Sequence, residues 1–242
     1  MKSRLSLCCK FFIAILGAIV HFNTILASDC GCPVLQLGGF TTTLGRSQHI
    51  NIEGLIGDDF SVKRSSHQNF LIGLGYYFYG LDLAQTRFLY GINAFYLGPT
   101  KVKGKVTQED LFTNLAYHYS RANYPIYFAT KAFICCGRDY DVVIDLGIGP
   151  NIARTRGFKE RSLDGGITIP DHIFKGKSVW KFSATAGIGW RMNNVLGNLS
   201  VEIDYRFFYL GQGELKKINN QVKNSLYTGH SYANAILFTI DL

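Results

Sequence analysis

The chain has 242 residues, of which 47% are hydrophobic, 14% aromatic and 17% charged, and its formal net charge is +8. The positive excess is dispersed, with none of the long arginine- or lysine-rich runs that grip nucleic acid, so that class of function is set aside. Beyond residue 27 the cysteines fall as Cys30-x-Cys32 and Cys135-Cys136, spacings unlike those of a zinc site.

The chain opens like an exported protein. Lys2, Arg4 and Lys10 precede the apolar run "FFIAILGAIV", and Ala27 offers a small residue for cleavage. Residues 1–27 are therefore expected to be a signal peptide and 28–242 one domain. The apolar run is too short for a comfortable transmembrane helix, and no later stretch is long and apolar enough for one. Export permits disulfides among Cys30, Cys32, Cys135 and Cys136. At least one bridge is expected between the two pairs, tying the N-terminal tail to the second short turn.

Along the rest of the chain, apolar residues alternate with small or polar ones at the two-residue period of strands. The clearest case is "VWKFSATAGIGW". Trp180, Phe182, Ala184, Ala186, Ile188 and Trp190 point one way; Lys181, Ser183, Thr185, Gly187, Gly189 and Arg191 point the other. A turn, "MNNVLGN", leads to "LSVEIDYRFF", where Tyr205 and Phe207 oppose Glu202, Asp204 and Arg206. "VVIDLGIGPNI" sets Ile144, Leu146 and Ile148 against Asp145, Gly147 and Gly149, and "SYANAILFTIDL" closes the chain. Four earlier strands, roughly 34–44, 69–79, 87–97 and 124–135, bring the count to about eight. Short turns such as "GLDLAQT" alternate with long polar connections around 46–66, 99–123, 154–178 and 213–228, the asymmetry of an outer-membrane barrel. The segment "DLFTNLAYHYSRA" (110–122) reads either as a continued strand or as a small loop helix.

The repeated Gly-x-Gly pairs in "LIGLGYY", "IDLGIGPN" and "TAGIGWRMN" do not fit a dinucleotide loop. The third glycine of that fingerprint is replaced by Phe78, Ile152 and Met192, and no helical period follows. On a strand, alternating glycines instead leave room on a crowded inner face. The fold class expected is all-β: a closed, up-and-down antiparallel transmembrane barrel with its aromatic side toward lipid. Asp145, Lys181, Arg191, Glu202, Asp204 and Arg206 would then line the lumen and pair across it, because a buried unpaired charge is costly. That arrangement reads as a plug; a narrow solute path is the alternative.

The histidines His49, His67, His118, His172 and His230 fall in loops or near strand ends. None has both a serine and an acid at two-residue spacing, so no catalytic, metal or cofactor site is assigned. His67, beside Ser66, and His230, beside Ser231, are the nearest approach to a lipid-modifying enzyme. Basic segments "KVKGK" and "GELKKINNQVK" would face anionic lipopolysaccharide or a partner outside the cell.

The pieces "FLIGLGYYF", "VVIDLGIGPNIA", "KFSATAGIGWRMN", "LSVEIDYRFFYLG" and "ANAILFTIDL" together resemble the eight-stranded outer-membrane β-barrels of Gram-negative bacteria, the opacity-type and OmpA-like family. The resemblance implies an outer-membrane location and a porin-like architecture; the role expected is structural, adhesive or surface-antigen, with no enzymatic activity or cofactor read from the residues, and a lipid-modifying enzyme or narrow solute channel is the alternative. The resemblance also implies recognition of the last strand by the barrel-assembly machinery. Members usually end in an aromatic residue, whereas this chain ends in Leu242, with Phe238 and Ile240 at the preceding alternate positions.

Overall fold

A computed structural model describes residues 31–63, 66–135, 139–196 and 199–242. The expected signal peptide, Cys30 and Cys136 lie outside these residues. The strands in chain order are β1 (Cys32–Thr43), β2 (Gln48–Ile50), β3 (Asp58–Val62), β4 (Ser66–Leu83), β5 (Thr86–Gln108), β6 (Phe112–Cys135), β7 (Tyr140–Ser162), β8 (Phe174–Lys175), β9 (Ser178–Leu196), β10 (Leu199–Lys217) and β11 (Leu226–Asp241). Eight of them, β1, β4, β5, β6, β7, β9, β10 and β11, form a closed antiparallel ring. The first and last strands complete it: Leu37 of β1 pairs with Ile72 of β4 on one side and with Phe238 of β11 on the other.

The two-residue period fixes which face meets what. Trp180, Phe182, Ile188 and Trp190 are exposed on the exterior of β9, while Ser183 and Thr185 between them are buried in the bore. Ile144, Leu146 and Ile148 of β7 and Tyr205, Ile236 and Phe238 of β10 and β11 continue the apolar exterior. Trp180 and Trp190 stand ten residues apart, 65% and 51% exposed. At a rise of ~3.3 Å per residue and a strand tilt of ~40°, this separates them by about 25 Å along the barrel axis, the height of a transmembrane apolar band.

Aromatic rings mark both edges of the band. At one edge Tyr96 and Tyr124 approach to 5.2 Å between ring centroids, and Tyr124 continues in register through Ile152 to Trp180. At the other, Tyr140 stacks on Trp190 at 5.4 Å. Such girdles suit the two membrane–water interfaces. A closed barrel that turns its charges inward and this belt outward is built to be bathed in hydrocarbon.

Beyond the Tyr96–Tyr124 edge, β5, β6 and β7 do not stop. The connections around 46–66, 99–123, 154–178 and 213–228, read from sequence as long polar loops, are largely a folded cap. The 110–122 segment is strand, entering β6 after a tight turn in which Glu109 and Asp110 take positive φ. Where β4 no longer covers β5, β3 takes its place (Phe60↔Val106), and β8 adds to β10 (Phe174↔Lys217). Beneath them Ile50, Phe60, Val106, Tyr117, Phe158, Phe174, Leu215 and Leu226 form a second buried core, with the Phe60 ring 5.1 Å from Tyr117 and 5.7 Å from Phe174. Burying side chains of this size contributes roughly 1.5–3 kcal/mol each as an upper estimate, enough to hold the connections in one arrangement.

The change from barrel to cap needs the strands to reverse faces. In β5 the buried positions are odd up to Leu97 and even from Thr100 onward. The irregularity at Gly98-Pro99, where the pairing skips from Leu97 to Thr100, produces the reversal. In β7 the extra residue falls at Gly157, whose φ of +66° favours glycine. Before it Thr155 is inward; after it Phe158 and Glu160 are, leaving Arg156, Lys159 and Arg161 all exterior.

Candidate functional site: the bore and the outer collar

Four of the charges expected in the lumen meet there. Arg206 Nη2 lies 2.8 Å from Asp145 Oδ2, and Arg206 Nε lies 3.2 Å from Asp204 Oδ1. Asp145, Glu202 and Asp204 converge so closely that a ligand oxygen from each lies within 4.8 Å of the others. The cation between them was not found from sequence. Lys131 of β6 reaches across the bore to Glu202 Oε2 at 2.5 Å and to Asp145 Oδ2 at 3.8 Å, and is 1% exposed. Three carboxylates thus share two cations, and the Arg206 guanidinium also stands 5.6 Å over the Phe95 ring. The glycines make this possible: a Cβ on Gly189 would come within 2.5 Å of the Asp204 Cβ, and one on Gly187 within 3.2 Å of Arg206 Nε.

Arg191 sits nearer the mouth by the short turns. It pairs with Asp241 at 2.7 Å and stacks 4.5 Å over the Phe133 ring, rather than joining the central cluster. Lys181 is a correction: it is exposed rather than in the bore. It lies against Gly211, beyond Ala184 where the β9–β10 pairing ends, and the open seam there lets its side chain reach solvent. Cys32 is a free thiol beside Pro33 at the same mouth as Arg191. The expected bridge between the pair Cys30 and Cys32 and the pair Cys135 and Cys136 therefore does not use Cys32, and Cys30 and Cys136 lie outside the described residues.

Above the charge cluster the bore is filled by rings and amides. Phe95 packs edge-on to Phe208 at 5.3 Å, and Asn93 Nδ2 donates to Gln36 Oε1 at 2.7 Å. Arg121, 0% exposed, forms the floor of the cap. It has no carboxylate partner among the described residues. It donates instead to Asn123 Oδ1, Thr228 Oγ1 and the carbonyls of Leu210 and Gly211, at 2.9–3.1 Å. A small cavity of about 30 Å³ at the Cys32 mouth has room for about one or two waters.

The cap carries its own titratable groups. Burial raises the Asp58 carboxyl to about 6, helped by the neighbouring Glu109 charge, and raises Glu160 to about 7, helped by Asp171. Glu160 Oε2 accepts from the His172 backbone at 2.8 Å. His49, for which no acid stands at two-residue spacing, receives one across the β2–β3 pair. Asp59 lies 2.8 Å from its Nδ1 and holds the imidazole above its ordinary value. His230 Nδ1 meets the Tyr209 hydroxyl at 2.9 Å, and His118 sits on the exterior of β6 between Lys103 and Lys159.

No protein-family model matches the sequence, and no curated protein does. Solved structures do. The outer-membrane protease OmpT of Escherichia coli is 14% identical, with 89% of this chain and 96% of that one covered and a TM-score of 0.42. The outer-membrane protein OprG of Pseudomonas aeruginosa is 12% identical over 87% and 93%, at 0.43. Ail of Yersinia pestis, an attachment invasion locus protein solved with the heparin analogue sucrose octasulfate, is 12% identical over 87% and 97%, at 0.35. The chain is similar to bacterial outer-membrane barrels.

Proposed function

We propose that this chain is an integral outer-membrane β-barrel with a structural or surface-interaction role of the adhesion or surface-antigen kind. Its bore is closed by paired charges, and its cap faces the exterior. In this reading the signal peptide is removed, the last strand guides assembly by the barrel machinery, and the short turns face the periplasm. One observation carries it: the face bearing Trp180 and Trp190 is exposed, while Asp145, Lys131, Glu202 and Arg206 are sealed inside. The Lys131–Glu202 pair reaches across the bore and the Arg206–Asp145 pair closes over Gly187 of β9 within it, which supports a plug over a conducting path.

No catalysis is assigned in this reading. The contacts of His49, His172 and His230 described above are to Asp59, Glu160 and Tyr209, none of them a hydroxyl nucleophile next to a base and an orienting acid.

Membrane fractionation with heat-modifiable gel mobility tests the placement. The folded chain is expected in the outer-membrane fraction, with a shift on boiling; recovery as a soluble periplasmic protein overturns it. Planar-bilayer recording tests the plug, with no unitary conductance expected. Lipid A profiling of cells that express the chain tests the catalytic alternative, with an unchanged profile expected.

A further inference from the structure

We propose that His49, Asp59 and Asp110, at the outer tip of the cap, bind a divalent transition-metal cation of the zinc kind, and that the ion pins the β2–β3 pair to the turn between β5 and β6. The site is separate from the bore and from the apolar belt.

Three chain segments bring the ligands together. His49 of β2 stands directly opposite Asp59 of β3 in the pairing register. Asp110 comes from the β5–β6 turn, where Glu109 and Asp110 take φ of +52° and +56°. That turn is latched to the β2–β3 connection. The Glu109 carboxylate accepts from the Ile56 amide at 2.9 Å, and the Glu109 amide donates to the Gly57 carbonyl at 2.9 Å. Glu109 is thereby spent on the backbone, and Asp110 is the carboxylate the turn offers to His49. One ligand atom from each of His49, Asp59 and Asp110 lies within 4.8 Å of the others, and all three side chains are exposed. A Cβ on Gly57 would come within 2.8 Å of His49 Nε2, so glycine there keeps the place of the ring.

The imidazole decides what the cluster takes. A carbonyl oxygen only accepts, so the 3.1 Å contact of His49 Nε2 with the Ile56 carbonyl puts the ring hydrogen on Nε2. Nδ1 of the neutral ring then turns its lone pair toward the Asp59 carboxylate, 2.8 Å away. Two acceptors this close require a positive centre between them. A second proton supplies one and compensates a single carboxylate; a divalent ion compensates Asp59 and Asp110 together. A backbone carbonyl holding the far N–H is also the support that fixes metal-ligating histidines in one tautomer.

Donor type narrows the ion. Calcium and magnesium take oxygen ligands, whereas an imidazole with two carboxylates suits zinc and its first-row neighbours, with water completing the shell. Ligand atoms around a tetrahedral zinc stand about 3.4 Å apart. The 2.8 Å contact therefore has to open, and the longest separation to close by no more than about 1.4 Å, a small adjustment for exposed side chains. Because the ligands come from β2, β3 and the β5–β6 turn, binding the ion favours the folded cap.

The test uses the untagged chain, folded in zwitterionic detergent and titrated calorimetrically with zinc chloride or calcium chloride. Zinc is expected to bind at least tenfold more tightly than calcium. Asp110→Asn is the sharpest variant, because asparagine tolerates the left-handed backbone of the turn and only the charge is lost. It, His49→Ala and Asp59→Asn should each weaken zinc binding by about tenfold or more while keeping the heat-modifiable mobility of the parent. Glu53→Gln, an acid of the same tip, and His118→Ala, a histidine on the exterior wall, should leave it unchanged. Cobalt in place of zinc should give visible d–d absorption without a thiolate charge-transfer band. Zinc should slow proteolytic cutting of the parent cap and not that of Asp110→Asn. Undiminished zinc affinity in His49→Ala or Asp110→Asn overturns the proposal. So does equal affinity for calcium, the mark of a diffuse acidic tip, or a thiolate band, which puts the ion on the cysteines. Cutting of the parent that zinc does not slow overturns the pin.

Discussion

Lys131 Nζ and Glu202 Oε2 meet at 2.5 Å across the bore, from strands separated in the ring by β7 and β9, with both side chains 1% exposed. The pair braces opposite walls and compensates a site where three carboxylates converge. Removing one member of a buried pair costs more than the pair contributes, because the remaining charge stays uncompensated. Lys131→Met is expected to destabilise the barrel by about 3–5 kcal/mol, and the double variant with Glu202→Gln by less. Urea unfolding in lipid vesicles, followed by tryptophan fluorescence, measures both. A single variant as stable as the parent would contradict the brace.

Gly189 tests how full the bore is. A Cβ there meets the Asp204 Cβ, and a larger side chain would have to displace the Arg206–Asp204 pair. Gly189→Val is expected to cost about 1–3 kcal/mol through overpacking, despite the higher strand propensity of valine. The loss should appear as a lower boiling temperature for the mobility shift.

Leu146 lies on the exterior, in register with Ala186 and so midway between the rows of Trp180 and Trp190. Leu146→Arg is expected to cost about 2–4 kcal/mol if hydrocarbon covers this face, and close to nothing if water does. Refolding yield into vesicles separates the two outcomes.

The cap should respond to pH. Asp58 and Glu160 are raised in the folded state to about 6 and about 7, by burial first and neighbouring carboxylates second. Between the ordinary carboxyl values and these, the folded cap binds more protons than the unfolded one. Its stability is therefore fully present below about pH 4 and is lost as pH rises through 6 to 7. Limited proteolysis of vesicle-embedded protein is expected to cut the cap faster at pH 8 than at pH 5. Asp58→Asn with Glu160→Gln should flatten that difference and slow cutting at pH 8.

Much of the barrel was legible because its strands alternate cleanly in β7, β9 and β10, where each face has its own chemistry. Lys131 was not, because β6 is apolar on both faces: Tyr127, Ala129 and Phe133 inward, Ile126 and Phe128 outward. The available signal was that Lys131 is charged within a strand otherwise free of charge from Tyr124 to Ile134. The cap escaped notice for a different reason. Bulges at Gly98-Pro99 and Gly157 reverse the phase of the alternation, and a pattern that changes phase reads as no pattern. Lys181 shows the converse error, a regular alternation carried past Ala184, where β9 is no longer paired with β10. Partners such as Asp59 for His49 come from pairing across strands, which local spacing does not reveal.

The reversal at Gly98-Pro99 makes chain length itself a constraint there. Deleting a single residue at that spot would swing Lys101, Lys103 and Lys105 into the greasy interior and push Val102 and Val106 out, whereas a stretch of several residues spliced in near Gly165 and Gly166 would merely enlarge a tip. Lineages that diversify this protein should therefore vary freely at its summit and keep strict count at its neck.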